Sequence, residues 1–232
     1  PARDKSGQTI TNPTILTEAI DSSLTKLNVD YIDVMMLHGV LPEEYDLIVD
    51  NLAETLIDAK KSGKIRSIGL STRFSVDPAQ KGALEALEKH PTLWEVLMVK
   101  YGILNQYAAK RILPLAQKHS IGIMNMAAVR VKLPDEKLLE ELIEKWKTEN
   151  KIEVDSLPSK NPLRWLLNEE VSSVIDAGYK FAAEPKSIST VLTGTATISH
   201  LESNVKYLEN PRLNKIDSDR LKCLFQDIVE YV

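Results

Sequence analysis

The residues that could do chemistry in this sequence close short apolar runs. "DYIDVMMLHGV" (residues 30–40) ends a strand-forming stretch in His38 followed by a glycine. "IRSIGLST" (65–72) ends in Ser71 and Thr72, and "VLMVKYG" (96–102) in Tyr101 and Gly102. "IGIMNM" (121–126) ends in Met126 and "ISTVLTG" (188–194) in Thr193 and Gly194. A histidine can carry or relay a proton near neutral pH, and hydroxyls at strand ends can orient a polar ligand beside it. The last run continues as "TGTATISHLESN", a glycine-bearing turn that enters a helical pattern, the arrangement that accepts phosphates at a helix N-terminus. There is no G-x-S-x-G elbow and no Cys/His/carboxylate cluster with ligand spacing, so neither a serine hydrolase nor a metal site is expected.

The elements that must position these residues alternate. Asn12 and Pro13 predict the start of a helix, with Ile15, Leu16, Ala19, Ile20, Leu24 and Leu27 at helical spacing. The strand "YIDVMML" follows. Ile48, Leu52, Leu56 and Ala59 then form one helical stripe that stops at Gly63. After the strand "IRSIGLS", Asp77 and Pro78 predict a cap for a helix to about Lys89. "WEVLMVKYG" is the third strand, "YAAKRILPLAQKHS" a helix with Pro114 as a blemish, and "IGIMNMAAV" the fourth strand. Helices are expected around "DEKLLEELIEKWKTE" and "EVSSVIDAGYKFAAE", then a fifth strand "ISTVLTG" and a terminal helical pattern "DRLKCLFQDIVEYV".

The chain has 232 residues, 43% hydrophobic and 27% charged, with a net charge of -4 and both signs interspersed. That composition is globular and offers no basic block for nucleic acid or an anionic membrane. The lone cysteine, Cys223, has no intramolecular partner and is expected to be a packed thiol. No signal peptide or apolar span of about 20 residues is visible, so the cytoplasm is the expected location. The start at Pro1, with no initiator methionine and a polar, turn-like "PARDKSGQT", reads as processed or truncated.

Apolar, weakly alternating strands separated by helix-length amphipathic sequence predict an α/β fold with a parallel sheet covered on both faces. No Pro-, Gly- or Ser-rich linker divides the chain, so residues 1–232 are expected to form one domain. An open doubly wound sheet and a (β/α)8 TIM barrel compete. No strand is followed by G-x-G-x-x-G, and the phosphate-like turn comes after the last strand, which favours a barrel. Such a barrel lacks its first three β/α units here, roughly 80 to 100 residues.

"SSLTKLNVDYIDVMMLHG", "KSGKIRSIGLS" and "STVLTGTATISHLESN" resemble the aldo-keto reductase family, in order and at the right separations. The resemblance covers essentially the whole chain as the family's fourth to eighth strands and terminal helices. It implies hydride transfer between NAD(P)H and a carbonyl or sugar hydroxyl, on a small-molecule aldehyde, ketone or sugar. The family's catalytic tetrad is an Asp, a Tyr, a Lys and a His. Only the histidine maps here, as His38, implied to polarise the carbonyl oxygen or assist proton relay; the other three would precede Pro1.

The resemblance implies nicotinamide contacts at Ser71, with Thr72 where the family has an asparagine, and at Met98, where it has a glutamine. Tyr101 closes the same strand as Met98. Met126 occupies the place of an aromatic that stacks on the nicotinamide. Thr193, Gly194 and Thr195 would supply hydroxyls and backbone N–H groups to the pyrophosphate, Ser199 would cap the following helix, and Asn204 matches the family's adenine contact. No Lys or Arg occurs from Thr193 to Val205, so the lean is to NAD or dual use.

Residues from about Val131 to Pro162 are expected to shape substrate specificity, with Trp146 and Trp165 as core or apolar wall. Asp30, Asp33 and Arg66 read as an ion pair at the strand entry rather than as catalysts. His90, His119 and His200 are expected to be exposed. Two other readings stand beside hydride transfer: a non-catalytic truncated barrel that binds nucleotide or a partner, and another barrel enzyme using His38 as a base.

Overall fold

The computed structural model describes residues 7–229. The polar start at residues 1–6 and the last three residues of the terminal helical pattern lie outside the described residues. The first helix, α1 (Pro13–Leu27), begins as predicted: Asn12 Oδ1 accepts the Thr14 N–H at 2.9 Å and Pro13 fills the first position. β1 (Ile32–Val40) leads to α2 (Tyr45–Lys61), whose buried Ile48, Leu52 and Leu56 are the predicted stripe. The helix stops at Gly63 (φ +79°), where the Gly63 N–H donates to Lys60 O and the Lys64 N–H to Ala59 O, the paired bonds that a left-handed glycine permits.

β2 (Ile65–Thr72) is followed by α3 (Lys81–Lys89), which begins later than Asp77-Pro78 suggests. Residues 77–80 make a turn, and Asp77 caps the helix across it, accepting from the N–H groups of Lys81 (2.9 Å) and Gly82 (3.0 Å). After β3 (Val96–Lys100), α4 (Ile112–Lys118) places Pro114 in its first turn, where a missing N–H costs no intrahelical bond. Then come β4 (Gly122–Met126), α5 (Glu136–Thr148), α6 (Val174–Ala183), β5 (Ile188–Val191), α7 (Ile198–Glu209) and α8 (Lys215–Phe225).

The architecture is α/β, with five strands in one sheet in the order β1-β2-β3-β4-β5. β1 with β2 and β2 with β3 are parallel. The order never reverses, so there is no topological switch point of the doubly wound kind. No helix among the described residues is long and apolar enough to cross a membrane.

The chain packs as two compact units, one of residues up to Val99 with Pro114–Ile123, the other of Lys100–Leu113 with the residues from Met124 onward. In the first, α2 and α3 cover one face of β2, and Leu37, Val40, Ile68, Leu70, Leu97 and Val99 are buried. Tyr45 anchors that layer. Its hydroxyl accepts the Trp94 indole N–H at 2.9 Å and lies 3.0 Å from His90 Nδ1, and burial pushes its pKa up to about 12. His90 and His119 are therefore half-buried rather than exposed; His200 is exposed as expected. Arg66 pairs with Asp33 at 3.1 Å and stacks over the Tyr31 ring, the ion pair anticipated from sequence.

In the second unit, Asn125 is fully buried and holds the end of β3. Its Oδ1 accepts the Tyr101 N–H at 2.9 Å, while its Nδ2 donates to Tyr101 O (2.8 Å) and Ala182 O (3.2 Å). Gly102 is required by proximity: a Cβ there would lie 2.4 Å from Ala128 O. Trp146 is core, packed at 5.6 Å on Phe225, whereas Trp165 is half-buried beneath the Arg220 guanidinium. Cys223 is exposed, not packed. α8 buries Ser218, Leu221 and Phe225, and two residues beyond Leu221 the helix has turned about 200° towards solvent.

Candidate functional site

β1 does not end at His38 but runs on to Val40. Gly39 adopts φ +79° and the register with β2 skips between His38 and Val40, a bulge that spends one residue. The skip returns Val40 to the buried side (0% exposed) while His38 stays open. The glycine after the histidine is thus a backbone requirement. Among the described residues the His38 ring has no hydrogen-bond partner.

Register assembles the candidate residues of the first unit. His38 pairs with Ser71, and Ser71 with Met98, so three strands set these residues in one row. Strands pair at about 4.8 Å, and residues in register share a face. The neighbouring row is Met36, Gly69 and Val96; a Cβ on Gly69 would come within 3.0 Å of Met36 Cγ, so the methionine lies over the glycine. Ser71 is buried and its hydroxyl donates to Thr72 O at 3.3 Å. Met98 is half-buried between Leu97 and Val99, which turn to the opposite, packed face.

Thr72 does not join the row. Consecutive strand residues face opposite sides, and a Cβ on Gly82 of α3 would meet Thr72 Cγ2 at 3.3 Å, so Thr72 faces the helix layer. Its Oγ1 is buried without a partner. Of the expected Ser71-Thr72 pair, Ser71, itself buried, lies in the row with His38, and Thr72 faces away from it.

In the second unit, Tyr101 is 2% exposed and stacked on Phe181 (centroids 5.5 Å apart, planes 17°), and burial drives its pKa well above the ordinary tyrosine value. Asn125 grips its backbone, so the ring belongs to the core and offers no face to a ligand. That burial speaks against its expected place among the cofactor contacts. Met126 ends β4 half-buried, and the chain turns at Ala127 (φ +56°).

β5 ends at Val191, so Thr193 and Gly194 lie in the loop beyond it. Thr193 Oγ1 accepts from Asn204 Nδ2 at 2.6 Å and lies 2.9 Å from the Tyr179 hydroxyl. Tyr179 and Asn204 are both buried, and together they fix the loop from α6 and α7. Gly194 is exposed, and a Cβ there would meet nothing within 4 Å. Thr195 Oγ1 accepts the Thr197 N–H at 3.1 Å. The helix cap is Thr197, in extended conformation, and not Ser199, which is the second helical residue. Thr197 makes no side-chain cap bond, which leaves the first N–H groups of α7 free of that partner.

These residues could hold a dinucleotide at its phosphates. The uncapped start of a twelve-residue helix, beside the Thr193 and Thr195 hydroxyls and an unobstructed Gly194, presents donors to an anion. Asn204 commits its amide N–H to Thr193, and so acts first as a brace for the turn. Two residues that brace the candidate site were missed from sequence. Asn125 had a signal, a lone polar residue inside the apolar run "IGIMNM"; Tyr179 had none beyond its place in a helical pattern. Among the described residues, no group of three or more His, Cys, Asp or Glu could hold a metal ion.

The sequence profile described as "Aldo/keto reductase family" matches residues 3–224. The uncharacterized oxidoreductase YqkF of Bacillus subtilis is 25% identical over 201 residues, covering 85% of this chain and 61% of its own length. L-Galactose dehydrogenase of Arabidopsis thaliana is 23% identical over 201 residues, covering 81% of this chain and 56% of its own. This chain therefore spans about three-fifths of the length of these relatives. Among solved structures, the holo form of the aldo-keto reductase AKR11C1 from Bacillus halodurans superposes with a TM-score of 0.67 at 22% identity, covering 95% of this chain and 70% of that one. At that identity the likeness is one of fold.

Proposed function

The chain belongs to the aldo/keto reductase family, and on that premise we propose that it serves hydride transfer between NAD(P)(H) and the carbonyl or alcohol of a small aldehyde, ketone or sugar. In this reading β1 to β5 are the fourth to eighth strands of one TIM-barrel domain in the cytoplasm, and the Asp, Tyr and Lys of the tetrad are carried outside residues 1–232. The cofactor supplies or receives the hydride at its nicotinamide. His38 donates to the substrate oxygen and polarises it. Ser71 and Met98 line the nicotinamide side of the same row, the serine by hydrogen bonding and the thioether by covering apolar surface. Met126 is assigned a similar covering role. Thr193, Gly194 and Thr195, with Ser199 in the first turn of α7, bind the pyrophosphate, and Asn204 faces the adenosine side. The absence of Lys and Arg from Thr193 to Val205 supports NAD or dual use.

The observation that carries this reading is the His38–Ser71–Met98 row, which puts an unpartnered imidazole, a hydroxyl and a thioether on one face of three strands. The test is titration of the full protein with NADH and NADPH by fluorescence, followed by oxidation of the reduced cofactor with methylglyoxal or glyceraldehyde and, in the reverse direction, reduction of NAD(P)+ with L-galactose. Binding of either cofactor with turnover of one substrate is expected; failure to bind both at millimolar concentration sinks the reading. Cofactor binding without turnover of any substrate would favour the second reading, a nucleotide-binding barrel without chemistry, for which the single tetrad match at His38 speaks.

A further inference from the structure

In the second unit, a cavity of about 370 Å³ opens between the starts of α5 and α6 and the segment 161–167. Its size falls in the range of small-molecule sites, which are mostly apolar with a few placed polar groups. The walls are apolar: Leu133, Leu139, Leu163, Leu167, Val174 and Ile175. None of the residues assigned above to His38's row or to the cofactor lines it, while Leu133, Pro134, Glu136, Leu139, Asn161 and Pro162 belong to the stretch expected to shape substrate specificity.

The polar groups of the lining differ in what they have left to offer. The Ser173 hydroxyl already accepts the Asp176 N–H at 3.0 Å as the cap of α6. Glu136 lies in the first turn of α5, where the positive helix end matches its charge, and it acts on Lys160, raising that ammonium's pKa alongside Glu140. Arg164 is different. It lines the cavity, is exposed, and has no ion-pair partner among the described residues. An exposed arginine without an ion-pair partner in the lining of an apolar cavity matches a carboxylate on an apolar body.

We propose that this cavity is a second binding site, for a small apolar monocarboxylate held by Arg164 at its carboxylate and by the leucine, valine and isoleucine walls along its body. It does not depend on the hydride-transfer reading, because its readout is carboxylate binding at Arg164 and Val174, neither of which belongs to the His38–Ser71–Met98 row or to the cofactor contacts.

The test uses decanoate as probe, with decanol as the same apolar body without the charge and acetate as the charge without the body. Binding is followed by calorimetry on the wild-type protein, Arg164→Gln and Val174→Trp, the last to fill the cavity. Decanoate is expected to bind about tenfold more tightly than decanol, and acetate not measurably. Arg164→Gln should remove that tenfold preference while decanol binding stays unchanged, and Val174→Trp should abolish both. Thermal melts confirm that each variant is folded; Arg164 is exposed, so its replacement should leave the melt unchanged and keeps the test valid if Val174→Trp fails to fold. Equal affinity for decanoate and decanol, indifference to Arg164→Gln, or no decanoate binding at millimolar concentration would each overturn the proposal.

Discussion

His38 and Thr193 both close strand-forming runs, yet they are held in opposite ways. His38 is placed by backbone alone: a bulge at Gly39 and the β1–β2 register put it beside Ser71, and no side chain among the described residues grips its ring. Thr193 lies beyond its strand and is placed by side chains, with Asn204 and Tyr179 converging on one hydroxyl from two buried helix positions. The first arrangement leaves the imidazole exposed, as the proposed contact with substrate requires. The second removes freedom from a loop, which an anion site needs if its donors are to be in place before the ligand arrives.

The contrast can be broken from either side. The largest effect is expected at Gly102→Ala in the side-chain-braced unit, where the new Cβ would lie 2.4 Å from Ala128 O. The cost should reach about 3 kcal/mol in urea unfolding; a loss below about 1 kcal/mol would mean that this approach is slack. Replacing His38 by Gln in the full protein should reduce turnover roughly a hundredfold while shifting stability by no more than about 0.5 kcal/mol, since the ring has no partner to lose. A large stability loss would show that His38 is structural after all.

The packed side of the first unit gives a pH test. Tyr45 is neutral in the fold with its pKa raised to about 12, so the folded state holds its proton more tightly than the unfolded one. The stabilisation is complete below pH about 10 and is lost as pH rises from about 10 to 12, a decline of about 2 kcal/mol. Tyr45→Phe should flatten that alkaline slope in pH-dependent denaturation; an unchanged slope would assign it to other groups.

Smaller effects should separate brace from contact. Tyr179→Phe should cost about 1 kcal/mol and weaken NAD(P)H binding about fivefold, read by fluorescence titration, through a looser Thr193 turn. Unaltered binding would make Tyr179 a packing residue only. Ser199→Ala should change stability by less than about 0.5 kcal/mol in thermal melts, because Thr197 is the cap. A loss nearer 1 kcal/mol, the usual cost of removing a cap, would return that role to Ser199.

Much of this was legible in the sequence where the cause is local. Asn12-Pro13 announces α1 and Gly63 ends α2, because caps depend on residues a few positions apart. The expectation for Asp77 failed by a few residues because its carboxylate reaches across a turn to cap α3. Cys223 was misjudged because a helical pattern gives the period of burial but not its phase, and Leu221 and Phe225 set the phase. The burial of Tyr101 was not legible because a strand end looks open until Phe181 and Asn125, distant in sequence, close over it.

By itself the sequence determined the α/β class, the alternation of strand and helix, and the motifs around His38 and Thr193, since these rest on periodicity, propensity and short-range hydrogen bonding. Only the tertiary structure decided which of those residues share a face. Strand register and bulge geometry separated Ser71 from Thr72, and long-range burial took Tyr101 into the core. Both depend on contacts between segments far apart in the chain, and no local pattern encodes the distance between them.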